Sequence, residues 1–441
     1  MKSFSPSQIK WRTCKEEFIV LVVSFHYLLS SLLIVDPIRN SLHFSFSYAV
    51  LITLPAAVVF AVAAIITTID KPKLSSLFSF DVPELPLVMC LFGFAMILLL
   101  PNVWRFPSTF DERWHMGMMQ LALTQPLGVF IDTVARSGIT IYSPWWYLAI
   151  SSLLRLAGGV TLLGFRSVMS VASGFAAVAV YYLAKEIFGK GFSSVVISCV
   201  FVLSSVFHRF LFYGTMDGIA TLMFTLSVCC LLRGLTRHSS FWLMLAGIFW
   251  SLLALAHYVP ALQLVLGYLL SLLYLRWKQL IRVRDLVPLW LGFLLFSVLN
   301  FPMLPYHILR LIATGLDRVP ILNPVQYDLT MIWDFLLSIG WSPYLVFLIT
   351  AARRSSTDRV QARVDTVLKI IVGSSFLVYL LMNSLAFMRR LIPVSPVFLI
   401  MIGDYSAKNY SKITTGIILL NFCWWGLLQL FLGVIPGVLF G

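Results

Sequence analysis

Charged residues are scarce in this chain, and so are long polar stretches. Only 11% of its 441 residues are Asp, Glu, Lys or Arg, whereas 60% are hydrophobic. Soluble domains carry about 25% charged residues. No polar stretch is long enough to form a separate soluble domain, and the mean hydropathy is +0.92. These absences exclude a soluble globular protein and predict an integral membrane protein with one membrane domain.

Metal-binding and disulfide spacings are missing as well. The six cysteines form no CxxC pair and lie mostly within apolar runs, so we interpret them as small buried hydrophobic residues. The stretch DERWH (111–115) has only the spacing of the zinc motif HExxH, because Asp111 stands where the first histidine belongs. We therefore predict no metal ligands and no certain cofactor, and leave a divalent cation open.

The net charge of +14 comes from basic residues scattered over short loops. No single basic patch exists, which argues against a nucleic-acid partner. Membrane proteins concentrate Lys and Arg in their cytoplasmic loops. With a cytosolic N-terminus, every lysine falls in a loop of the inner face, so we predict that orientation.

Apolar runs long enough to cross about 30 Å of hydrocarbon recur throughout the sequence. We predict an all-α polytopic fold with spans near 17–35, 46–69, 84–101, 166–184, 192–208, 215–233, 241–256, 258–275, 286–304, 329–350, 367–387, 391–404 and 413–439. This makes about 13 transmembrane helices. The segment 142–159 is short and carries Arg155, so we predict a helix lying along the outer interface.

This topology puts a cluster of ionisable residues on the outer face, in a first loop that we expect to contain amphipathic helices. The stretch FPSTFDERWH (106–115) holds Asp111, Glu112, Arg113 and His115. Acidic residues at the end of a membrane helix can simply mark its boundary. In this aromatic-rich loop they can also serve catalysis, with Asp111 as a candidate general base and the other three as substrate-binding candidates.

Four further candidates are predicted on the same face. Arg389 and Arg390 either anchor the chain to lipid headgroups or clamp a phosphate, since guanidinium groups match phosphate oxygens. Asp217 is either an acidic residue that the helix dipole favours at a helix N-terminus, or a contact to the substrate. His257 lies between two spans and is either a turn residue or a substrate contact.

Five weak motifs in order resemble the GT-C superfamily of membrane glycosyltransferases, in particular its dolichyl-phosphate-mannose protein mannosyltransferase and ArnT-like branch. They are FDERWH, SPWWYLAISSLLRLAG with FRSVMSVASGFAAVAVYYLAKEIFG, YGTMDGIATLMFTL, FWLMLAGIFWSLLALAHYVPAL and RRLIPVSPVFLIM. The resemblance implies a catalytic membrane domain over 84–404. Residues 1–83 would add a cytosolic segment and two extra spans, and 405–441 a C-terminal span.

The resemblance also implies an activity. A sugar, hexosyl or pentosyl, would move from a polyprenyl-phosphate-linked donor to a lipid, glycan or protein acceptor on the outer face, with inversion. Asp111 would be the base and Arg389 or Arg390 would stabilise the leaving phosphate. The enzyme would lie in the cell membrane of a prokaryote or archaeon, or in the ER membrane of a eukaryote. The alternative is a secondary transporter or a flippase for lipids or polyprenyl phosphates, although no internal duplication is visible.

Overall fold

The computed structural model describes residues 6–34, 84–105, 110–136, 143–156, 158–189, 192–204, 206–207, 216–279, 281, 283–299, 339–353, 359–381 and 388–432. All regular elements within these ranges are helices, and the ranges contain no strand. The prediction of an all-α fold is therefore confirmed for the described part. The predicted span at 46–69 lies outside the described residues.

Fifteen α-helices and two 3-10 helices form this part of the chain. They are α1 (Pro6–Ile34), α2 (Glu84–Arg105), α3 (Phe110–Thr124), α4 (Leu127–Arg136), α5 (Pro144–Leu156), α6 (Leu162–Phe188), α7 (Phe192–Val202), α8 (Asp217–Arg237), α9 (Ser240–Ala256), α10 (Tyr258–Trp277), a 3-10 helix (Val283–Leu286), α11 (Val287–Ser297), α12 (Trp341–Ala352), α13 (Arg359–Leu381), a second 3-10 helix (Met388–Val394), α14 (Ser395–Asn409) and α15 (Lys412–Leu432).

Several of these helices are long and apolar enough to cross a membrane. Among the described residues, five segments meet both criteria: Leu162–Phe188, Asp217–Arg237, Pro260–Trp277, Leu391–Asn409 and Lys412–Leu430. Shorter apolar helices, such as α9 and α11, accompany them. The protein is thus a multi-pass membrane protein, and the total of about 13 spans remains a prediction.

Glycine allows two of the shorter helices to pack in backbone contact. A Cβ atom at Gly247 of α9 would overlap the carbonyl oxygen of Leu289 in α11, and a Cβ atom at Gly292 would overlap the carbonyl oxygen of Met244. Membrane helices gain little from the hydrophobic effect when they associate in lipid, so close van der Waals packing of small residues stabilises the contact.

Ion pairs join the helices at one end of the bundle, which we call the basic end. Lys185 of α6 lies 2.5 Å from Glu84 of α2, and the neighbouring Glu186 accepts hydrogen bonds from Arg233 of α8. Hence α2 starts at this end, whereas α6 and α8 finish there. The opposite end, where α2 ends and α6 and α8 begin, is called the site end.

The N-terminal helix packs against the C-terminal one. Trp424 of α15 donates its indole hydrogen to the Ser31 hydroxyl of α1 at 2.6 Å. The buried Glu17 carboxylate accepts from the Ser411 backbone N–H at 3.0 Å and from the Thr414 hydroxyl at 2.6 Å. An acidic group at a helix N-terminus satisfies free N–H groups and complements the helix dipole. The two flanking segments are thus in contact, while the domain boundaries remain predictions.

Candidate active site

A glycine turn between α5 and α6 sets the geometry of the site end. Gly158 and Gly159 have φ angles of 105° and 119°, which side chains other than glycine rarely adopt. The N–H of Gly159 donates to the carbonyl oxygen of Leu154 at 2.8 Å, closing α5. Thr161 then caps α6 by accepting from the Gly164 N–H at 3.0 Å. The tight turn brings the start of α6 next to α5.

The adjacent acids Asp111 and Glu112 have different environments. Both lie in the first turn of α3, where carboxylates are favoured by the helix dipole. Successive residues of a helix point about 100° apart, so one of them can face the packed interior while the other does not. Glu112 is 0% exposed, whereas Asp111 is partly exposed. Of this pair, Asp111 is the carboxylate that is accessible at the protein surface.

Glu112 is held in a two-pronged ion pair. Arg166 of α6 donates from Nε to Oε1 and from Nη2 to Oε2, both at 2.7 Å, and Arg166 is 1% exposed. Its Nη1 also donates to the carbonyl oxygen of Val103 at 3.0 Å, near the end of α2. Late carbonyls of a helix lack partners within the helix, and a cation there is favoured by the dipole. One arginine thus connects α2, α3 and α6.

His115, one turn after Asp111, is enclosed by aromatic rings. Its Nδ1 lies 2.8 Å from the Tyr147 hydroxyl of α5, and the histidine is 1% exposed. The rings of Trp114, Tyr147 and Phe165 surround it, with centroids 5.1, 5.7 and 5.9 Å away. His115 is predicted to bind substrate, and in this structure it also ties α3 to α5.

Two tryptophans fix α5 against the rest of the bundle. The indole N–H of Trp145 donates to the carbonyl oxygen of Leu299 at 2.8 Å, and that of Trp146 donates to the carbonyl oxygen of Leu252 at 3.2 Å. The N–H of Ser143 donates to the carbonyl oxygen of Leu255 at 3.1 Å. A helix, Pro144–Leu156, is thus present in the segment predicted at 142–159, while its placement along the outer interface remains a prediction. Its 13 residues span about 20 Å, which is short for a transmembrane helix.

Asp217 and His257 lie beside the same apolar cluster as α3 and α5. Asp217 is the first residue of α8 and is 1% exposed; its neighbour Met216 packs against the cluster. His257 follows α9, is 4% exposed, and is adjacent to Ala256 of that cluster. The fold thus brings Asp111, Glu112, His115, Asp217 and His257 to one end of the bundle.

The arginine candidates are described less completely. Arg113 is exposed on α3, as expected for a residue facing away from the Glu112 side. Arg389 and Arg390 lie in the 3-10 helix Met388–Val394, and their side chains are outside what the structure describes. Below that helix is an apolar cavity. It is lined by Val206, Ile339, Phe376, Leu391, Ile392, Val394, Ser395 and Phe398.

No metal cluster forms among the residues that the structure describes. No three His, Cys, Asp or Glu side chains there come close enough to hold a metal ion together.

Two residues of the site were not among the predicted site residues, although both stand in motifs quoted above. They are Arg166, which pairs with Glu112, and Tyr147, which contacts His115. A signal for Arg166 exists: an arginine inside an apolar span is costly unless it has a partner. The sequence does not say which acid that partner is.

With the geometry established, the chain can be compared with known proteins. No family model matches the sequence, and no curated protein matches it. A solved structure does match: the crystal structure of ArnT from Cupriavidus metallidurans bound to undecaprenyl phosphate, with a TM-score of 0.50 and 13% sequence identity. This chain has an ArnT-like fold. The match covers 75% of this chain and 61% of the ArnT chain, so the likeness concerns the fold and not the whole enzyme.

The match confirms a membrane fold similar to that of ArnT, as the order of the motifs predicts. Membership of the GT-C superfamily and of its mannosyltransferase branch remains a prediction. The roles of the site residues also remain predictions, although the structure describes where these residues lie.

Proposed function

We propose that this protein is an integral-membrane glycosyltransferase that transfers a sugar from a polyprenyl-phosphate-linked donor to an acceptor at the site end. The observation that carries the proposal is the fold, which is similar to that of an ArnT structure bound to undecaprenyl phosphate. The ionisable residues gathered at the site end support the same conclusion. Glycosyl transfer is catalysed by fixed charged groups placed where charge develops as the bond from the sugar to the phosphate breaks.

In the proposed reaction, Asp111 is the general base. Its carboxylate removes the proton of an acceptor hydroxyl, whose oxygen forms a bond to the anomeric carbon of the donor sugar. The bond between that carbon and the phosphate oxygen breaks, and the lipid phosphate leaves with the electron pair. Attack from the face opposite the phosphate inverts the anomeric configuration. The partial exposure of Asp111 suits this role, because the acceptor must reach it.

Glu112 has a different role in this proposal from that of Asp111. Its carboxylate is engaged by Arg166 at 2.7 Å on both oxygens. We assign it to holding α3 in place, so that the neighbouring Asp111 faces the acceptor. His115, Asp217 and His257 lie buried at the same end, and Arg113 is exposed on α3; we propose that these residues contact the sugar or the acceptor.

The lipid part of the donor is assigned to the region of the second 3-10 helix. Arg389 and Arg390 stand in this helix, and a guanidinium group can offset the negative charge that develops on a leaving phosphate. The site end is proposed to face the lumen or the cell exterior, with the N-terminus in the cytosol.

A transfer assay with matched variants tests this proposal. Purified wild type, Asp111→Asn and Asp132→Asn are each incubated with radiolabelled polyprenyl-phosphate sugars and a membrane extract as the source of acceptor. Asp132 is a control because it is also partly exposed and lies in the neighbouring α4. We expect wild type and Asp132→Asn to transfer label, and Asp111→Asn to fail.

Two results would contradict the proposal. Equal transfer by all three proteins would remove Asp111 from the role of base. Movement of the labelled lipid across a liposome bilayer by wild type, without transfer of the sugar, would favour the transporter or flippase alternative.

A further inference from the structure

A buried glutamine in α10 has no hydrogen-bond partner among the described residues. Gln263 is 0% exposed, and both its side-chain oxygen and its side-chain nitrogen are unpaired there. Every other side chain in the described part leaves at most one buried polar atom without a hydrogen bond, whereas Gln263 leaves two. A buried amide without partners is unfavourable, and water is scarce inside a membrane. Such a group indicates that something outside the described protein atoms completes its bonds.

The position of Gln263 places it below the site end. It follows the first residue of α10 by five positions, which corresponds to a depth of about 8 Å at 1.5 Å per residue. That first residue, Tyr258, comes directly after His257. Gln263 therefore lies about one and a half turns beneath the outermost turn of the helix.

The side of α10 that carries Gln263 faces α13. Residues four apart share one face of a helix, so Gln263 shares its face with Gly267. A Cβ atom at Gly267 would lie 2.9 Å from the Ser374 hydroxyl and 3.0 Å from the Cα of Ile371, both in α13. The 3-10 helix Met388–Val394 packs against both α10 and α13. Gln263 thus shares the α10 face that packs against α13 and lies one turn nearer the site end than Gly267.

The chemistry of the unpaired atoms limits the ligand. A glutamine amide offers two donors on nitrogen and an acceptor on oxygen. An ionised phosphate only accepts hydrogen bonds, so it would leave the amide oxygen unpaired. Sugar hydroxyls donate and accept, and two of them on neighbouring carbons satisfy both ends of the amide. A hydroxylated group fits Gln263 better than a phosphate does.

We propose that Gln263 hydrogen-bonds the sugar of the lipid-linked donor and helps to select it. This inference rests on the proposed function and adds a sugar-recognition residue to it. A site built to hydrogen-bond a hydroxyl discriminates strongly against ligands that lack one, because the buried amide is then left unpaired. Gln263 therefore distinguishes the glycosylated lipid from the bare lipid phosphate.

Binding measurements on two variants test the proposal. Wild type, Gln263→Leu and Thr225→Val are each titrated with undecaprenyl phosphate and with its glucosyl, mannosyl and galactosyl derivatives, and thermal unfolding is recorded without ligand. Thr225 is a matched control: it is buried in α8, and its hydroxyl donates to the Thr221 carbonyl oxygen of its own helix at 2.7 Å. Both substitutions replace a buried polar side chain by an apolar one of similar size.

We expect Gln263→Leu to bind undecaprenyl phosphate within about twofold of wild type, and to bind the preferred glycolipid about 10- to 100-fold more weakly. Without ligand, its unfolding temperature should equal or exceed that of wild type, because an unpaired amide has been removed from the interior. Thr225→Val should keep both affinities.

Three results would overturn the proposal. If Gln263→Leu, but not Thr225→Val, has a lower unfolding temperature than wild type without ligand, the amide has a partner within the protein. An unchanged preference for the glycolipid would show that the partner is water or another group. If wild type binds undecaprenyl phosphate at least as tightly as each of its glycosyl derivatives, only the sugar contact is contradicted. If wild type binds neither undecaprenyl phosphate nor any derivative, the proposed function is contradicted as well.

Discussion

Removing Arg166 should destabilise the protein far more than removing a surface lysine of the same helix. Arg166 makes two 2.7 Å hydrogen bonds to Glu112 and a third of 3.0 Å to the Val103 carbonyl oxygen, and both members of the pair are at most 1% exposed. Deleting one partner of such a buried pair leaves an uncompensated charge and costs about 3–5 kcal/mol. We expect this loss for Arg166→Met.

Lys185→Met is the matched control, since Lys185 lies on the same helix and pairs with Glu84 at 2.5 Å. That pair is 19% and 46% exposed, so its loss should cost at most about 1 kcal/mol. The measurement is a denaturant titration in mixed micelles, followed by tryptophan fluorescence. If Arg166→Met loses no more free energy of unfolding than Lys185→Met, the ion pair does not hold α3 as described.

The double variant sharpens the test. Glu112→Leu combined with Arg166→Met removes both charges together, and apolar replacement of a whole buried ion pair is often close to neutral. We expect the double variant to recover most of the stability that Arg166→Met loses. Exchanging the two charges should not recover it, because a carboxylate at position 166 would then face the Val103 carbonyl oxygen.

Three further predictions concern other contacts. Gly247→Ala should lower the unfolding temperature measured in detergent, because the added methyl group would overlap the α11 backbone. Gly373→Ala, whose methyl group would meet nothing within 4 Å, should leave it unchanged, and equal unfolding temperatures for the two variants would contradict this packing. Tyr147→Phe should lower the rate of sugar transfer, because the hydrogen bond between the Tyr147 hydroxyl and His115 is lost; an unchanged transfer rate would refute this. Glu17→Gln should weaken the contact between α1 and α15 and speed proteolysis of the N-terminal segment, and an unchanged cleavage rate would contradict it.

The helices could be predicted from the sequence because the bilayer imposes a simple rule. Each apolar run long enough to cross hydrocarbon must be helical, since its backbone has no other way to satisfy its hydrogen bonds. Hence α6, α8 and α10 begin and end close to the expected positions. The helix at 144–156 was also predictable, because its paired tryptophans and Arg155 do not suit a full span.

The arrangement within the site was less accessible from the sequence. Asp111 and Glu112 are adjacent and chemically alike, and only the packing of α3 decides which of them is buried. The partner of Glu112 lies 54 positions away, and the glycine turn at 158–159 brings it near. Tyr147 is one aromatic residue among many in its segment. Pairings of this kind depend on tertiary contacts, which a single sequence does not encode locally.

The claim that Asp111 is the base of a lipid-linked-sugar transferase is tested most directly by separating binding from catalysis. Wild type and Asp111→Asn would be compared for affinity to undecaprenyl phosphate and for single-turnover transfer of a radiolabelled sugar. We expect similar affinity and a rate of transfer at least about 100-fold lower, the usual contribution of a general base. Transfer by Asp111→Asn at the wild-type rate would contradict the claim.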